Sequence, residues 1–128
     1  MTQVGQVYRC YVCGNVVEVL TPGVGELICC GVAMVLLREK TDQPGRQMHV
    51  PVLERTGTGV LVRVGQLAHP MEPGHFIEWL EVRCGGQVCR RQLQPQEPPE
   101  AEFPGLTGDL VARACCNRHG LWRTSAGT

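Results

Sequence analysis

The sequence predicts an all-β protein in two parts, a compact metal-binding module followed by an antiparallel β-sandwich. Three observations predict it. Gly (16) and Pro (9) are plentiful in 128 residues while aromatic residues are only 5%, a turn-rich composition that disfavours a helical bundle. Short β-branched and apolar runs recur between turn signals, and no stretch reads as a long, capped amphipathic helix. Eight cysteines and four histidines are clustered along the chain, as metal ligands are.

Charge and hydropathy exclude several classes. Lys plus Arg is 12 and Asp plus Glu is 12, so there is no basic footprint for nucleic acid and no polybasic membrane patch. Met1–Gln6 has no charged region leading into an apolar run, so no signal peptide is expected. The longest apolar run, Leu27–Leu37, is interrupted by Cys29-Cys30-Gly31 and is too short to span a bilayer. The expected location is cytoplasmic. In that reducing compartment clustered cysteines are more often metal ligands or reactive thiols than disulfides; a disulfide scaffold is the competing reading.

The elements follow in order. Residues 1–37 form the first module, with a strand over Val16–Leu20 and a turn at Thr21–Gly25. So short a segment buries little core, so a structural metal is expected in it. Residues 38–45, polar and ending in Pro44-Gly45, read as a linker. Residues 46–128 carry the sandwich. Val50–Arg55 and Val60–Val64 flank Thr56–Gly59 as one hairpin, and a strand is expected to open at His49. Phe76–Arg83 and Gln87–Leu93 flank Gly85-Gly86 as a second. Gln94–Pro104 holds four prolines and is expected to be irregular. Leu110–Ala114 reads as a last strand leading into Cys115-Cys116.

Cys10-x-x-Cys13 is a metal knuckle, with Gly14 relieving the backbone after the second thiolate. Cys29 and Cys30 are adjacent, and neighbouring strand side chains point to opposite faces. Both reach one ion only if the backbone turns there, next to Gly31; otherwise they are buried small hydrophobes. Four thiolates select zinc or iron, and spacing does not decide between them. Tyr8–Glu18 followed by Gly25–Gly31 resembles desulforedoxin, a small rubredoxin-like module. The resemblance implies one iron held by Cys10, Cys13, Cys29 and Cys30.

The second pattern is His49, His69, His75 and Cys116-x-x-His119. A lone histidine is more often surface or hydrogen-bonded than a ligand, and by spacing only Cys116 and His119 are a signal. Met48–Val52, Ala68–Trp79 and Cys116–Trp122 resemble superoxide reductase. With the first module in front, the chain is similar over nearly its whole length to desulfoferrodoxin, the two-iron form. That resemblance implies an immunoglobulin-like sandwich and a second iron with four equatorial histidines, His49, His69, His75 and His119, and the axial thiolate of Cys116. A sixth position is left open. The implied activity is one-electron reduction of superoxide to hydrogen peroxide, with re-reduction by an external donor such as rubredoxin, in a homodimer.

The chain departs from that family where Gln47-Met48 stand in for its usual Glu-Lys pair. Gln47 is a poorer ligand for ferric iron than a carboxylate. Met48 has neither a charge to attract an anion nor a proton to give, which implies slower, less salt-dependent capture of superoxide; Arg46 is the nearest cation in sequence. Cys84 and Cys89 are expected as free thiols, diagonal on one sheet face. Cys115 lies next to the axial position, and spacing does not exclude it as the ligand. Two other functional readings stand beside the enzyme: an iron electron carrier or redox sensor with weak activity, and a zinc-binding structural module.

Overall fold

A computed structural model describes residues 1–127. The chain forms two compact units, Met1–Arg38 and Glu39–Thr128.

The first unit is built from β1 (Val7–Arg9), β2 (Val16–Glu18), β3 (Ile28–Cys29), β4 (Val32–Ala33) and β5 (Val35–Leu36). A three-stranded sheet has the order β2-β1-β5, and β3 and β4 form a separate hairpin. The strand expected over Val16–Leu20 is shorter, ending at Glu18. Val19 N–H leaves the ladder and donates to the Gln6 carbonyl at 2.9 Å. Only Val7, Cys10, Val19 and Leu37 supply buried apolar side chains here. So small a core gives little hydrophobic stabilisation, and other links must hold the unit.

The second unit opens with one helical turn, α1 (Arg46–His49), and continues as β6 (Pro51–Arg55), β7 (Gly59–Val64), β8 (Ile77–Cys84), β9 (Gln87–Gln92), β10 (Glu100–Pro104), β11 (Leu110–Cys116) and β12 (Gly120–Ala126). Two antiparallel sheets, β10-β7-β6 and β12-β11-β8-β9, face each other as a sandwich. Between them lie Val60, Val62 and Val64 of β7, Ala101 and Phe103 of β10, Leu80 and Val82 of β8, and Ala112 and Ala114 of β11. Lys40, within the segment expected as a linker, pairs beside β12: its N–H donates to the Leu121 carbonyl and its own carbonyl accepts from Arg123 N–H, both at 2.9 Å.

Three elements differ from expectation. The strand expected to be last, Leu110–Ala114, extends to Cys116 and is followed by β12, which pairs with it from Leu110 opposite Ala126 to Cys116 opposite Gly120. His49 ends α1 instead of opening a strand. Met48 N–H bonds to the Gly45 carbonyl and Val50 N–H to that of Arg46, closing one turn. Pro51 then holds Val50 extended, at φ −70° and ψ 124°, so the strand begins at Pro51. In the segment expected to be irregular, Glu100–Pro104 pairs with β7 as an edge strand. Its alternation is clear, Ala101 and Phe103 inward and Glu100 and Glu102 outward, and Pro104 falls at its end, where an edge tolerates it.

The β8–β11 pairing carries an irregularity. Ala114 faces Leu80 and Cys115 faces Trp79, but Cys116 faces Ile77, so Glu78 is skipped. Such a bulge re-aims side chains. It turns Ile77 into the core although Trp79, two residues on, lies with Cys115 on the opposite face. On that opposite face Glu81 is fully buried and is met by Arg113 Nε at 2.9 Å, Arg83 Nε at 2.7 Å and Arg90 Nε at 3.0 Å. Burial alone would raise the Glu81 pKa. Hydrogen bonds and charge from Arg113, with Arg90 and Arg83, outweigh it and hold the carboxyl below its usual 4.5.

Removing one partner of a buried ion cluster strands the others, at about 3–5 kcal/mol. Glu81→Gln is therefore expected to cost about 3 kcal/mol in chemical denaturation at pH 7, Arg113 retaining its ion pair with the half-exposed Glu39. Because the folded pKa is depressed, this stabilisation is complete above the unfolded value near 4.5 and is lost as pH falls through the lower folded value. The gap between wild type and variant should shrink below pH 4.5; a gap constant with pH contradicts the assignment.

Candidate metal centres

The first centre grows from two turns. β1 delivers Cys10, whose N–H donates to the Asn15 carbonyl at 2.8 Å while its carbonyl accepts from Gly14 N–H at 2.8 Å. That tight loop swings Cys13 back beside Cys10. In the β3–β4 hairpin the two turn residues are Cys30, at φ 55°, and Gly31, at φ 77°, the left-handed pair a two-residue hairpin requires. Cys29 is therefore the last strand residue and Cys30 the first of the turn, which is how adjacent side chains come to one place. The sulfurs of Cys10, Cys13, Cys29 and Cys30 all lie within 4.8 Å of one another, with Cys13 Sγ to Cys29 Sγ at 3.6 Å.

Asn15 ties the two turns together. Its N–H donates to Cys13 Sγ at 3.5 Å and its side-chain amide to Cys29 Sγ at 3.7 Å. Hydrogen bonding from the Cys13 backbone, against the effect of burial, brings the Cys10 thiol down to about 6. Shared hydrogen bonds with Cys13, then Cys29 and Cys10, push Cys30 up to about 12. The Cys10 thiolate forms readily while Cys29 and Cys30 resist joining it, the electrostatics of a cluster completed by a cation.

The second centre draws on four separate places. α1 ends on His49, the loop after β7 presents His69 and His75, β11 ends on Cys116, and the turn into β12 carries His119. Their candidate ligand atoms also lie within 4.8 Å of one another. Ring centroids step from His49 to His69 at 4.7 Å, to His75 at 4.7 Å, to His119 at 5.0 Å and back to His49 at 4.9 Å. Successive planes are inclined by 69–79°. Four imidazoles thus form a nearly square ring with one thiol, Cys116, beside it, its sulfur 3.7 Å from His119 Nδ1.

Backbone carbonyls orient the rings. His49 Nδ1 lies 2.8 Å from the Gly45 carbonyl and His69 Nδ1 2.6 Å from that of Pro70, which places the Nδ1 proton there and leaves Nε2 free as a ligand. His119 instead turns Nδ1 toward the group, 3.2 Å from His49 Nε2. Gly65 permits the close approach of the supporting turn: a Cβ there would lie 2.9 Å from the Gln47 carbonyl oxygen. Trp122 stacks on His49 with centroids 4.7 Å apart and donates its indole N–H to the His119 carbonyl at 2.9 Å.

Burial lowers the pKa of His49 and His75 and brings His69 to about 4, so these rings are neutral at pH 7 as metal binding requires. His69 Nε2 and His75 Nε2 are buried with no hydrogen-bond partner. Orphaned acceptors of this kind are costly, and a metal ion satisfies both. The donor sets therefore fit one thiolate-bound and one imidazole–thiolate-bound metal.

Strand alternation separates the neighbouring cysteines. Cys116 lies with the four histidines, whereas Cys115, equally buried, faces Trp79 and reaches Glu78 Oε1 at 3.7 Å. Gln47 is exposed and Met48 half-buried on α1 just before His49. Cys84 and Cys89 are free and packed against the core; Val82 faces Cys89 and Cys84 faces Gln87, the diagonal offset expected. Asn15, Lys40 and Trp122 were not singled out by sequence reasoning. Lys40, for example, donates to the carbonyl of His119, 79 residues away.

A cysteine knuckle joined to a sandwich that gathers four imidazoles and a thiolate defines a metalloprotein with two unlike centres. Comparison with known proteins identifies the kind. The family model for the desulfoferrodoxin N-terminal domain matches residues 2–37, and that for desulfoferrodoxin matches residues 40–125. A desulfoferrodoxin homolog from Archaeoglobus fulgidus is 53% identical over 124 residues, 97% of this chain and 99% of the relative. Among solved structures, superoxide reductase from Treponema pallidum superposes with a TM-score of 0.75 at 23% identity, covering 93% of this chain and 95% of that one, a likeness of fold. The one-iron superoxide reductase from Giardia intestinalis superposes with a TM-score of 0.56 at 25% identity, over 64% of this chain and 99% of that one. This chain belongs to the desulfoferrodoxin family, a family of oxidoreductases, and its four-cysteine and histidine–cysteine groups match the two iron sites of that family.

Single replacements should separate the centres. Cys29→Ser is expected to remove one of two irons, measured by metal content, with the colour of a ferric thiolate centre. Cys116→Ser should abolish sulfur-to-iron charge transfer at the other, and Cys115→Ser should leave that band intact. Loss of the band in Cys115→Ser would reverse the ligand order.

Proposed function

We propose that this chain reduces superoxide to hydrogen peroxide at the histidine–cysteine centre, with His49, His69, His75, His119 and Cys116 as the iron ligands and the four-cysteine centre as an electron-transfer or structural iron. The observation that carries the reading is the square of four imidazoles with a single thiol beside it. Five protein donors suit a metal that keeps one position for a small molecule. Superoxide reductase is also the name of the solved structures with which the sandwich superposes.

Ferrous iron held by His49, His69, His75, His119 and Cys116 would supply the one electron that superoxide needs, with two protons from solvent completing hydrogen peroxide and a rubredoxin or similar one-electron carrier as the reductant. The chain's own residues do the rest. Gly45 and Pro70 carbonyls fix the tautomers of His49 and His69, keeping Nε2 a lone-pair donor. Trp122 covers one face of His49 and shields it from water. Cys116 is fully buried, so its thiolate is protected from solvent and its charge is directed to the metal. His119 is exposed and His75 half-buried, which gives the site an open side. Gln47, next to it on α1, has no carboxylate to compete for an open position.

The homodimer and cytoplasmic location belong to the same reading. Among the described residues, exposed large apolar side chains concentrate in the first unit, including Tyr11, Val12, Leu20, Val24 and Ile28. Its core is small, so burying this surface in a second copy would stabilise it. No described helix is long and apolar enough to cross a membrane.

With a reductant present, the expected yield is one hydrogen peroxide per superoxide consumed and no dioxygen. Half that yield with dioxygen evolved would mean dismutation and would overturn the proposal. Sedimentation of the iron-loaded protein should show a dimer; a monomer across micromolar concentrations rules that part out.

A further inference from the structure

The histidine–cysteine group has a closed side and an open one. His49, His69 and Cys116 are buried, His75 is half-buried and His119 is exposed. Two cationic side chains are tethered to the backbone of its ligand loops. Lys40 Nζ donates to the His119 carbonyl at 2.9 Å and lies 5.2 Å from the centroid of the Trp122 ring, which in turn stacks on His49. Arg118 Nε donates to the carbonyl of Gly74 at 2.9 Å, the residue before His75.

Most of the ion-paired arginines in this unit meet buried or structural carboxylates. Arg83, Arg90 and Arg113 converge on Glu81, Arg63 pairs with Glu54, and Arg123 with Glu39. Among the described residues no carboxylate lies in ion-pair range of Lys40 or Arg118; their hydrogen bonds go to neutral carbonyls. Their charges are therefore not cancelled locally. They reach the ligand rings: Lys40 acts electrostatically on His49 and Arg118 on His75, with Glu72 the opposing charge near His75.

We propose that Lys40 and Arg118 together form a fixed positive field around the histidine–cysteine centre that draws small anions to it. The proposal rests on the superoxide reading for the identity of the natural anion. Met48, immediately before His49, carries no charge, so the two tethered cations stand apart from the position that directly precedes that ligand. A cation roughly 8 Å from a bound anion changes its affinity by about 2-fold at the dielectric of water and about 30-fold at an effective dielectric of 20. Tethering to carbonyls matters here, since a charge held in place acts on an arriving anion without first being ordered.

The test uses the iron-loaded protein and azide as the probe, titrated by visible absorption from about 10 mM to about 500 mM salt, a range over which screening removes most such interactions. Lys40→Met and Arg118→Met are each expected to weaken azide binding about threefold or more at low salt, and the double variant to weaken it further. All should converge on wild type at high salt, and Lys40→Arg and Arg118→Lys should stay close to wild type throughout. A deficit of the same size at every salt concentration means that the tethers only position the loops, and overturns the proposal. So does the absence of any deficit, or a wild-type protein that binds no azide at low salt. Peroxide yield from superoxide is measured separately on wild type: failure there with salt-dependent azide binding intact sinks the superoxide reading and leaves the anion field standing.

Discussion

The pairing of β8 with β11 sets the terms for the second unit. Its register puts Ala112 and Ala114 against the opposing sheet and Arg113 beside Glu81 on the other face, so one ladder separates an apolar core from a buried ionic cluster. Shifting the pairing by one residue would exchange the two faces, setting Glu81 and Arg113 into hydrocarbon. That penalty fixes the register, and the register in turn fixes Cys116 on the core side with the histidines. The bulge at Glu78 then turns Ile77 inward beneath the end of β11 just where the strand stops and the ligand turn begins.

The two centres solve the problem of holding a metal in different ways. In the first, the ligands make up much of the structure: two tight turns face each other, Asn15 links them, and few apolar side chains are buried. In the second, a core packed between two sheets presents ligands from its rim, and carbonyls of Gly45 and Pro70 set the orientation of two of the rings. The first module is therefore expected to lean on its metal for folding, while the sandwich has a core of its own. The single helical turn of α1 is part of this support, since it places His49 between Gly45 and Trp122.

Much of this was legible in the sequence because the signals were local. The Cys10-x-x-Cys13 spacing, the Gly85-Gly86 hairpin and the alternation in β7 and β8 each act within a few residues. The need for a turn at Cys29-Cys30 followed from strand geometry alone, and the left-handed Cys30-Gly31 pair supplies it. Family resemblance added the assembly of His49, His69, His75 and His119, which no spacing rule brings together. What was not legible depended on distant partners or on competing local rules. Four prolines masked the inward alternation of Ala101 and Phe103 in β10. The strand propensity of Val50-Pro51-Val52 hid the helical turn ending at His49. Lys40 read as part of a polar linker because its partners, Leu121, Arg123 and His119, lie at the far end of the chain.

That separation along the chain has a consequence for how the protein is made. Cys10, Cys13, Cys29 and Cys30 all lie in the first unit and are complete as a set once residue 30 has been synthesised. The first metal can be captured, and its module closed by β4 and β5, before all the ligands of the second centre are made. His49, His69 and His75 wait without a common partner until Cys116 and His119 are made, about forty residues after His75, and β12 pairs with β11 only after that. The two sets of ligands are thus ordered along the chain: the thiolate set is complete before the first histidine ligand is made.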